Sequence, residues 1–397
     1  MLSAVAAALA VAISPVPAPG TPSLVPHKGP ATETIRQIAR CGGRMYAAGQ
    51  LAAVRSKGRR FTRHGTFSFA ASKPYAINGW NPDPGGPVNS IALNSGCTRA
   101  WLGTSHGVTE VTVPGGKRVA GFRSAIGGTV NRLVLWHGHL LAGGLFPGSF
   151  TSLNPATGRP DGFAAGLRIT GSEPPHHDPT KVWNMQLHGS RLLVEGDFTS
   201  VAGQPRRQIF MLNLGSRARL SGWRSAEFNG QCTESFYIRA AAWSPSGSTI
   251  YIADTGAHAT SWHGGPLTGL CDAVAAFPAK AGPVRHTWVN YSGCDSFFSA
   301  GFAGGMVFAA GHPRWIDNRH GCNRRGPGAI PYRGLVALTP SGRPVLSGGR
   351  ARYSMSPANA DDMLTTAQGL WIASSNRDGD DQCGHVGGHA GLCLLRS

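Results

Sequence analysis

The chain has 397 residues, room for one repeat architecture or for two to three ordinary domains, and 41% of them are hydrophobic, which argues against bulk disorder. Glycine stands at 56 residues and charged residues at only 14%, a balance that excludes long solvated helices and coiled coils and favours short strands joined by tight turns. The formal net charge of +18 has the sign that suits polyanions, but arginine supplies 31 of the 37 basic positions and these are spread along the chain, so nucleic acid is not the expected partner.

Residues 2–13 form an Ala-rich apolar run that Pro15 and Pro17 break, and residues 1–20 read as a signal-peptide-like segment. The run is too short to span a bilayer. Ala10-Val11-Ala12 and Val16-Pro17-Ala18 are alternative cleavage ends. No other segment approaches twenty apolar residues, so the expected mature chain is secreted, extracellular and without a transmembrane anchor.

The rest of the chain repeats. Alternating strands beginning near residues 35, 88, 130, 182, 238, 297 and 360 each lead through a tight turn to a second apolar strand. Each hairpin continues into another apolar strand, a Pro/Gly/Ser turn and a short segment ending near an aromatic, such as Trp80, Phe122, Phe163, Trp223 or Trp288. Four short strands per unit, repeated seven times, predict an all-β fold, a seven-bladed β-propeller of four-stranded antiparallel blades over residues 35–397. The aromatics are expected to fill the gaps between sheets. The last unit stops after its third strand, and residues 21–34, a linker or closing strand, are expected to supply the missing one.

Eight cysteines in an exported chain suggest disulfides. Cys41 and Cys97 fall in the same turn of neighbouring repeats. Cys232 and Cys271 flank the first hairpin of repeat five, and Cys294 and Cys322 repeat that arrangement in repeat six. Cys383 and Cys393 remain within repeat seven. The expected pairs are 41–97, 232–271, 294–322 and 383–393, of which the last three brace the loops of the last three repeats and direct attention to that side as the functional surface.

The repeats resemble the delta-60 repeat β-propellers of secreted, actinobacterial-like proteins across residues 35–397. The match is sharpest at Gly196-Asp-Phe-Thr-Ser-Val-Ala-Gly-Gln-Pro-Arg-Arg207 and at Gly311-His-Pro-Arg-Trp-Ile-Asp-Asn318. Repeat two departs from the signature with Gly103-Thr-Ser-His106. The resemblance implies fold and export and brings no catalytic residue with it.

The loops after the second strands and between repeats should gather on one face, here called the top. Candidate ligand-binding residues there are Asp197, Asp254, His312, Arg314, Trp315, Asp317, Asn318, Asn376 and Asp361, with His258, Arg377, Asn89, Asn131, His176, His177, Asp178 and Asp362 near them. Asp and Asn also fix turns by bonding nearby amides, which is the structural reading of the same residues. Asp378, Asp380 and Asp381 alternate as calcium ligands do, although Gly387 stands where an EF-hand has Glu. Cys383, His385, His389 and Cys393 have zinc-like spacing, with a disulfide as the competing reading. No G-x-S-x-G, H-E-x-x-H or P-loop motif occurs. The expected function is a secreted binding or scaffold module for a protein, a glycan or a cell-wall polymer. The alternative is an extracellular hydrolase or lyase with a dispersed carboxylate and histidine site.

Overall fold

The computed structural model describes residues 12–25, 33–172, 178–228, 232–257, 269–355, 360–376 and 390–397. Each expected repeat start coincides with an antiparallel hairpin. The pairs are Glu33–Cys41 with Arg44–Gln50, Val88–Leu93 with Arg99–Thr104, Thr129–Trp136 with His139–Leu145, and Lys181–His188 with Arg191–Asp197. Repeats five to seven follow with Ile238–Trp243 and Thr249–Asp254, Phe297–Ala303 and Met306–Gly311, and Ala360–Thr366 and Gly369–Asn376. Some turns need backbone that only a few residues tolerate. His137 and Gly138 have φ of 45° and 83°, the two positive angles of a type I′ turn, which matches the twist of the flanking strands. No helix occurs among the described residues.

A third strand extends every hairpin outward: Thr66–Ala70, Gly107–Thr112, Phe150–Leu153, Ile209–Leu214, Ala273–Pro278, Leu335–Leu338 and Leu392–Arg396. The expectation of four strands in every unit departs from the observed pairing. Repeats four and five have full fourth strands, Ala218–Leu220 and Trp288–Tyr291. In repeats one, two, three and six the fourth segment is reduced to single bridges, 69–77, 111–118, 153–160 and 338–344. Pro160 and Pro344 occupy two of these bridges, and proline has no N–H to continue a ladder.

First strands touch in succession from repeat one to repeat seven, and the strand of repeat seven touches that of repeat one. The ring is therefore closed. Hydrophobic clusters fill the spaces between adjacent sheets, as where Leu193 of repeat four meets Ile250, Ile252 and Phe277 of repeat five. The terminal aromatics act as expected. The indole N–H groups of Trp80, Trp223 and Trp288 each donate to a carbonyl of the following repeat, Thr112 at 3.1 Å, Pro278 at 3.0 Å and Pro340 at 2.8 Å. Each ring thus fills a gap and, through its N–H, fixes the distance between sheets.

Three expected disulfides are formed, with Cα–Cα separations of 5.8 Å for 41–97, 5.8 Å for 232–271 and 4.7 Å for 294–322. The fourth expected pair, 383–393, involves Cys383, which lies outside the described residues.

The outermost strand of repeat seven does come from the N-terminal side, but from a different segment than expected. Residues 14–18 lie antiparallel to Leu392–Arg396, with Ser14 N donating to Arg396 O at 2.6 Å, Ala18 N to Leu394 O at 2.8 Å, and a bridge between Pro17 and Leu395. Ile13 and Ala18 are 1% and 2% exposed, and Tyr353 Oη donates to Ile13 O at 2.6 Å. Of residues 21–34, Ser23–Leu24 pairs with Ala53–Ser56 instead, and Glu33 and Thr34 pair with Asn376 and Ser375 at the inner side of the same seam. The last part of the segment read as signal-peptide-like, residues 14–18, is thus a closing strand, with Ile13 and Ala18 buried at its ends.

A chain beginning at Pro19 should therefore be less stable than one beginning at Ile13. The expected loss is on the order of 2–4 kcal/mol from two buried side chains and the lost hydrogen bonds. Equilibrium urea denaturation of the two forms measures it, and coincident midpoints would refute the assignment.

Candidate binding site at the mouth of the ring

Every first strand carries one extra residue at the same place. The registers skip at Arg36, Asn89, Asn131, Trp183, Arg239, Phe298 and Asp361. Such a β-bulge re-aims a side chain and leaves ladder groups unpaired. The freed amide lies two residues on. Ile38 N donates to Asp362 Oδ2 of repeat seven at 2.9 Å, Ile91 N to Gln37 Oε1 of repeat one at 2.7 Å, and Leu133 N to Ser90 Oγ of repeat two at 2.8 Å. In repeat four the acceptor is Asn184 Oδ1 of the same strand, at 2.8 Å, and its Nδ2 donates onward to Arg239 O at 3.2 Å. In these four repeats the residue after the bulge satisfies a buried backbone donor, in three of them on the next repeat.

The bulge residues meet at the top end of the axis. Arg36 Nη1 donates to Asn89 Oδ1, Asn89 Nδ2 to Val130 O at 3.1 Å, and Asn131 Nδ2 to Val182 O at 2.9 Å. Across the ring, Arg239 Nη2 of repeat five bonds Asp361 Oδ1 of repeat seven at 2.7 Å, and Thr34 Oγ1 donates to Asp361 Oδ2 at 2.8 Å. The Arg239 guanidinium carbon lies 5.0 Å from the Trp183 ring centre and 4.9 Å from that of Phe298. Lys181 Nζ is 4.5 Å from the same Trp183 ring, and Tyr237 lies against it with centres 5.4 Å apart. Below this layer, Arg132 of repeat three spans to Asp362 at 3.0 Å.

Burial lowers the pKa of Arg36 from the usual guanidinium value, with Asp361 opposing the shift and Arg239 adding to it. Burial raises Tyr237, and Arg239 opposes that. Asp362 is raised by burial against the pull of Arg132. Glu195, 0% exposed, is raised well above the carboxylate range by burial, which Arg132 only partly offsets. The mouth is thus a cation held between two aromatic rings, above a channel crossed by ion pairs.

Among the residues expected from sequence, Asp361 belongs to this mouth, with Asn89, Asn131 and Asp362 beside it. His312 stands edge-on to Phe298 at 5.0 Å. Asp197 is 2% exposed, and its charge reaches Tyr237. The others brace loops. Arg314 grips Asp295 through Nε at 3.0 Å and Nη2 at 2.8 Å while lying over Trp315. Asp317, at a φ of 55°, exchanges hydrogen bonds with Asn290. Asn318 is wholly buried and bonds Ser292 O and Gly326 N. Asn376 pairs through its backbone with Glu33. His176, His177, His258, Arg377, Asp378, Asp380, Asp381, His385 and His389 lie outside the described residues, and with them the calcium and zinc expectations. No cluster of metal-ligating side chains occurs among the described residues.

Sequence reasoning missed Arg36, Trp183, Arg239 and Phe298. The usable signal was position: each directly follows the first fully buried residue of its strand, Ile35, Val182, Ile238 or Phe297.

Asp254 and Asp272 make a second polar group, between repeats five and six. Both are 1% exposed. Ala273 N donates to Asp254 Oδ1 at 2.7 Å, and Ser296 Oγ to Asp272 Oδ1 at 2.7 Å. Burial raises Asp254 well above the usual range, and Asp272 adds to it. Asp272 is pushed up to about 8 by burial, with Ser296 opposing and Asp295 and Glu234 adding.

No family model matches the chain, and no curated protein is similar in sequence. Solved structures do match. The WD40 repeats of RRP9 align at a TM-score of 0.56 with 9% identity, covering 97% of this chain and 99% of that one. The extracellular domain of the one-component system BT4673 from B. thetaiotaomicron aligns at 0.53 with 11% identity, covering 93% of this chain and 39% of that one. The chain folds as a β-propeller. At these identities the likeness speaks to fold alone. In the propeller frame the bulge residues ring the top of the central channel, where first strands begin. No helix among the described residues is long and apolar enough to cross a membrane.

Two outcomes follow from this geometry. Asp362→Ala strands Arg132 and the Ile38 amide, and should cost about 3–5 kcal/mol in chemical denaturation. Asp272 holds its proton in the folded state up to about pH 8, whereas an unfolded aspartate loses it near 3.8. Stability should therefore fall as pH rises from about 4 to 8. Asp272→Asn, which keeps the hydrogen-bond geometry and tolerates the φ of 51°, should flatten that slope, and a parallel pH profile would refute the account.

Proposed function

We propose that the chain is an exported, seven-bladed propeller of the delta-60 repeat kind, with four-segment blades, that works as a binding or scaffold module. It engages a protein, glycan or cell-wall ligand over its top face. The observation that carries this reading is the state of the mouth. Its ionisable groups are engaged with one another, Arg239 with Asp361 and Arg132 with Asp362, while Trp183 and the flank of Arg239, backed by the buried Phe298, form a fixed aromatic and cationic surface. Such a surface recognises ligands without rearranging. The carboxylates with the largest upward shifts, Glu195, Asp254 and Asp272, are sealed by protein at 0–1% exposure, which disfavours the hydrolase or lyase alternative.

Three disulfides support an oxidising compartment. The closing strand supports the earlier of the two cleavage ends. Processing after Ala18 would remove it, whereas processing after Ala12 leaves Ile13 to pack beneath Tyr353. N-terminal sequencing of the exported protein should read Ile13 first, and a start at Pro19 would overturn this.

The binding reading is tested on an array of glycans and cell-wall fragments with the mature protein. The expected result is retention of a ligand unchanged, weakened at least about tenfold by Trp183→Ala with no change in disulfides or melting behaviour. Release of a cleaved product from the array would favour the enzyme instead.

A further inference from the structure

Repeats one and four carry the same inserted hairpin between their second and third strands. Ala53–Ser56 pairs with Arg59–Thr62, and Ser200–Val201 with Gln204–Pro205. The two frames share the same hydrogen-bond pattern. Arg63 N donates to Ala52 O at 2.9 Å and Arg206 N to Thr199 O at 3.0 Å, while Gly65 N donates to Leu51 O and Gln208 N to Phe198 O. A buried arginine closes each. Arg63 Nη1 and Nη2 donate to Thr62 O and Asn78 O, and Arg206 Nη1 and Nη2 to Pro205 O and Ser221 O. These arginines are 7% and 6% exposed and belong to the frame.

The tips differ. Between the matched pairs Val54–Phe61 and Val201–Gln204, repeat four has two residues, Ala202 and Gly203, and repeat one has six, Arg55-Ser-Lys-Gly-Arg-Arg60. Four of those six are cations, and all four are exposed. Arg55 and Arg60 stand directly opposite each other across the strands, a pairing that destabilises a hairpin. Among the described residues none of the four is in an ion pair. Lys57 and Gly58, at φ of 50° and 75°, make a type I′ turn that holds the tip stiff. The fold does not require these charges, since repeat four builds the same frame without them.

We propose that this hairpin is a docking finger for a linear phosphodiester polymer of the extracellular wall. Guanidinium forks suit phosphate, and a row of fixed cations suits an anion repeated along a chain. The tip lacks the stacking platform that single-stranded nucleic acid uses and the apolar wedge that enters a lipid surface. Its one aromatic, Phe61, is half-buried beneath the guanidinium groups of Arg59 and Arg63, so it gives no stacking platform, and no large apolar side chain extends beyond it into a membrane. The finger is continuous with the mouth. A hollow of about 450 Å³ lies between its base, at Leu51, Arg63 and His64, and the crossing loop at Asp83–Pro87. Gln50 on its wall accepts from Arg36 Nη2 at 3.3 Å. The proposal rests on the top face being the ligand face, and names one chemistry for it.

The test replaces Arg55–Arg60 by Ala-Gly, the tip that repeat four already folds, in the full disulfide-bonded protein. Binding to poly(glycerol phosphate) is measured by titration at several salt concentrations. The parent should bind, and the replacement should weaken binding at least about tenfold and make the slope of log K against log salt shallower by about 3, as the loss of four charges requires. Thermal stability of the replacement should be unchanged or higher, since the Arg55–Arg60 repulsion is gone. Equal affinity and slope in the two proteins would overturn the finger, as would tighter parent binding to single-stranded DNA or to phosphatidylglycerol vesicles. Trp183→Ala separates the readings: the array signal lost with polymer binding intact assigns two sites, whereas intact array binding alongside absent polymer binding sinks only the finger.

Discussion

The molecule depends on one recurrent constraint, the backbone amide that each bulge sets free. A strand can turn a side chain into the mouth only by breaking its ladder, and a buried N–H without an acceptor costs on the order of 1–3 kcal/mol. The acceptor comes mostly from the preceding repeat: Asp362 for Ile38, Gln37 for Ile91, Ser90 for Leu133. The bond from repeat seven to repeat one is of the same kind as the others. Closure is therefore written into the inner ring as well as into the outer strand. In repeats one, two, four and seven the polar residue after the bulge is a structural necessity before it is anything else, which is why Gln37, Ser90, Asn184 and Asp362 stand in a core otherwise made of Val, Ile, Leu and Ala.

The mouth inherits its chemistry from the same device. Where the residue after the bulge is committed to the backbone, the bulge residue itself is free to vary. It is Arg36 in repeat one, Asn where the next repeat offers a carbonyl, at Asn89 and Asn131, and aromatic or charged in repeats four to seven, at Trp183, Arg239, Phe298 and Asp361. One side of the ring thus serves cohesion and the other presents a surface. Disulfides 232–271 and 294–322 brace repeats five and six, on the same side as Arg239 and Phe298.

Much of this was legible in the sequence because strand alternation and turn residues are local. The seven hairpins, the aromatics that bridge neighbours and three cystine pairs all follow from register. What was not legible is what breaks register or borrows from afar. A bulge shifts the two-residue alternation by one, so Arg36 and Trp183 fall out of any pattern that assumes strict alternation. The closing strand at residues 14–18 has the same apolarity as an export leader, and only its hydrogen bonds to Leu394 and Arg396 tell the two apart. Loop residues such as Arg314, Asp317 and Asn318 carry the residue types of a binding site, yet here they hold the loop that Cys322 anchors. Type alone does not separate a turn-maker from a ligand group.

The arginines make the same point about charge. A count of +18 spread along a chain says little, because it merges cations with opposite duties. Arg63 and Arg206 are buried donors to carbonyls, and Arg132 and Arg239 cross the channel to carboxylates. In each the guanidinium is bound within the fold and adds little to the outer field. Arg55, Lys57, Arg59 and Arg60 are different, since all four face solvent on one rigid tip and two of them oppose each other. Removing the structural arginines would weaken the fold and leave the field nearly as it was, whereas removing the tip would do the reverse. Internal repetition makes this separation possible in a single chain: one repeat shows what the frame needs, and the residues that a sister repeat adds to it are the ones left for function to explain.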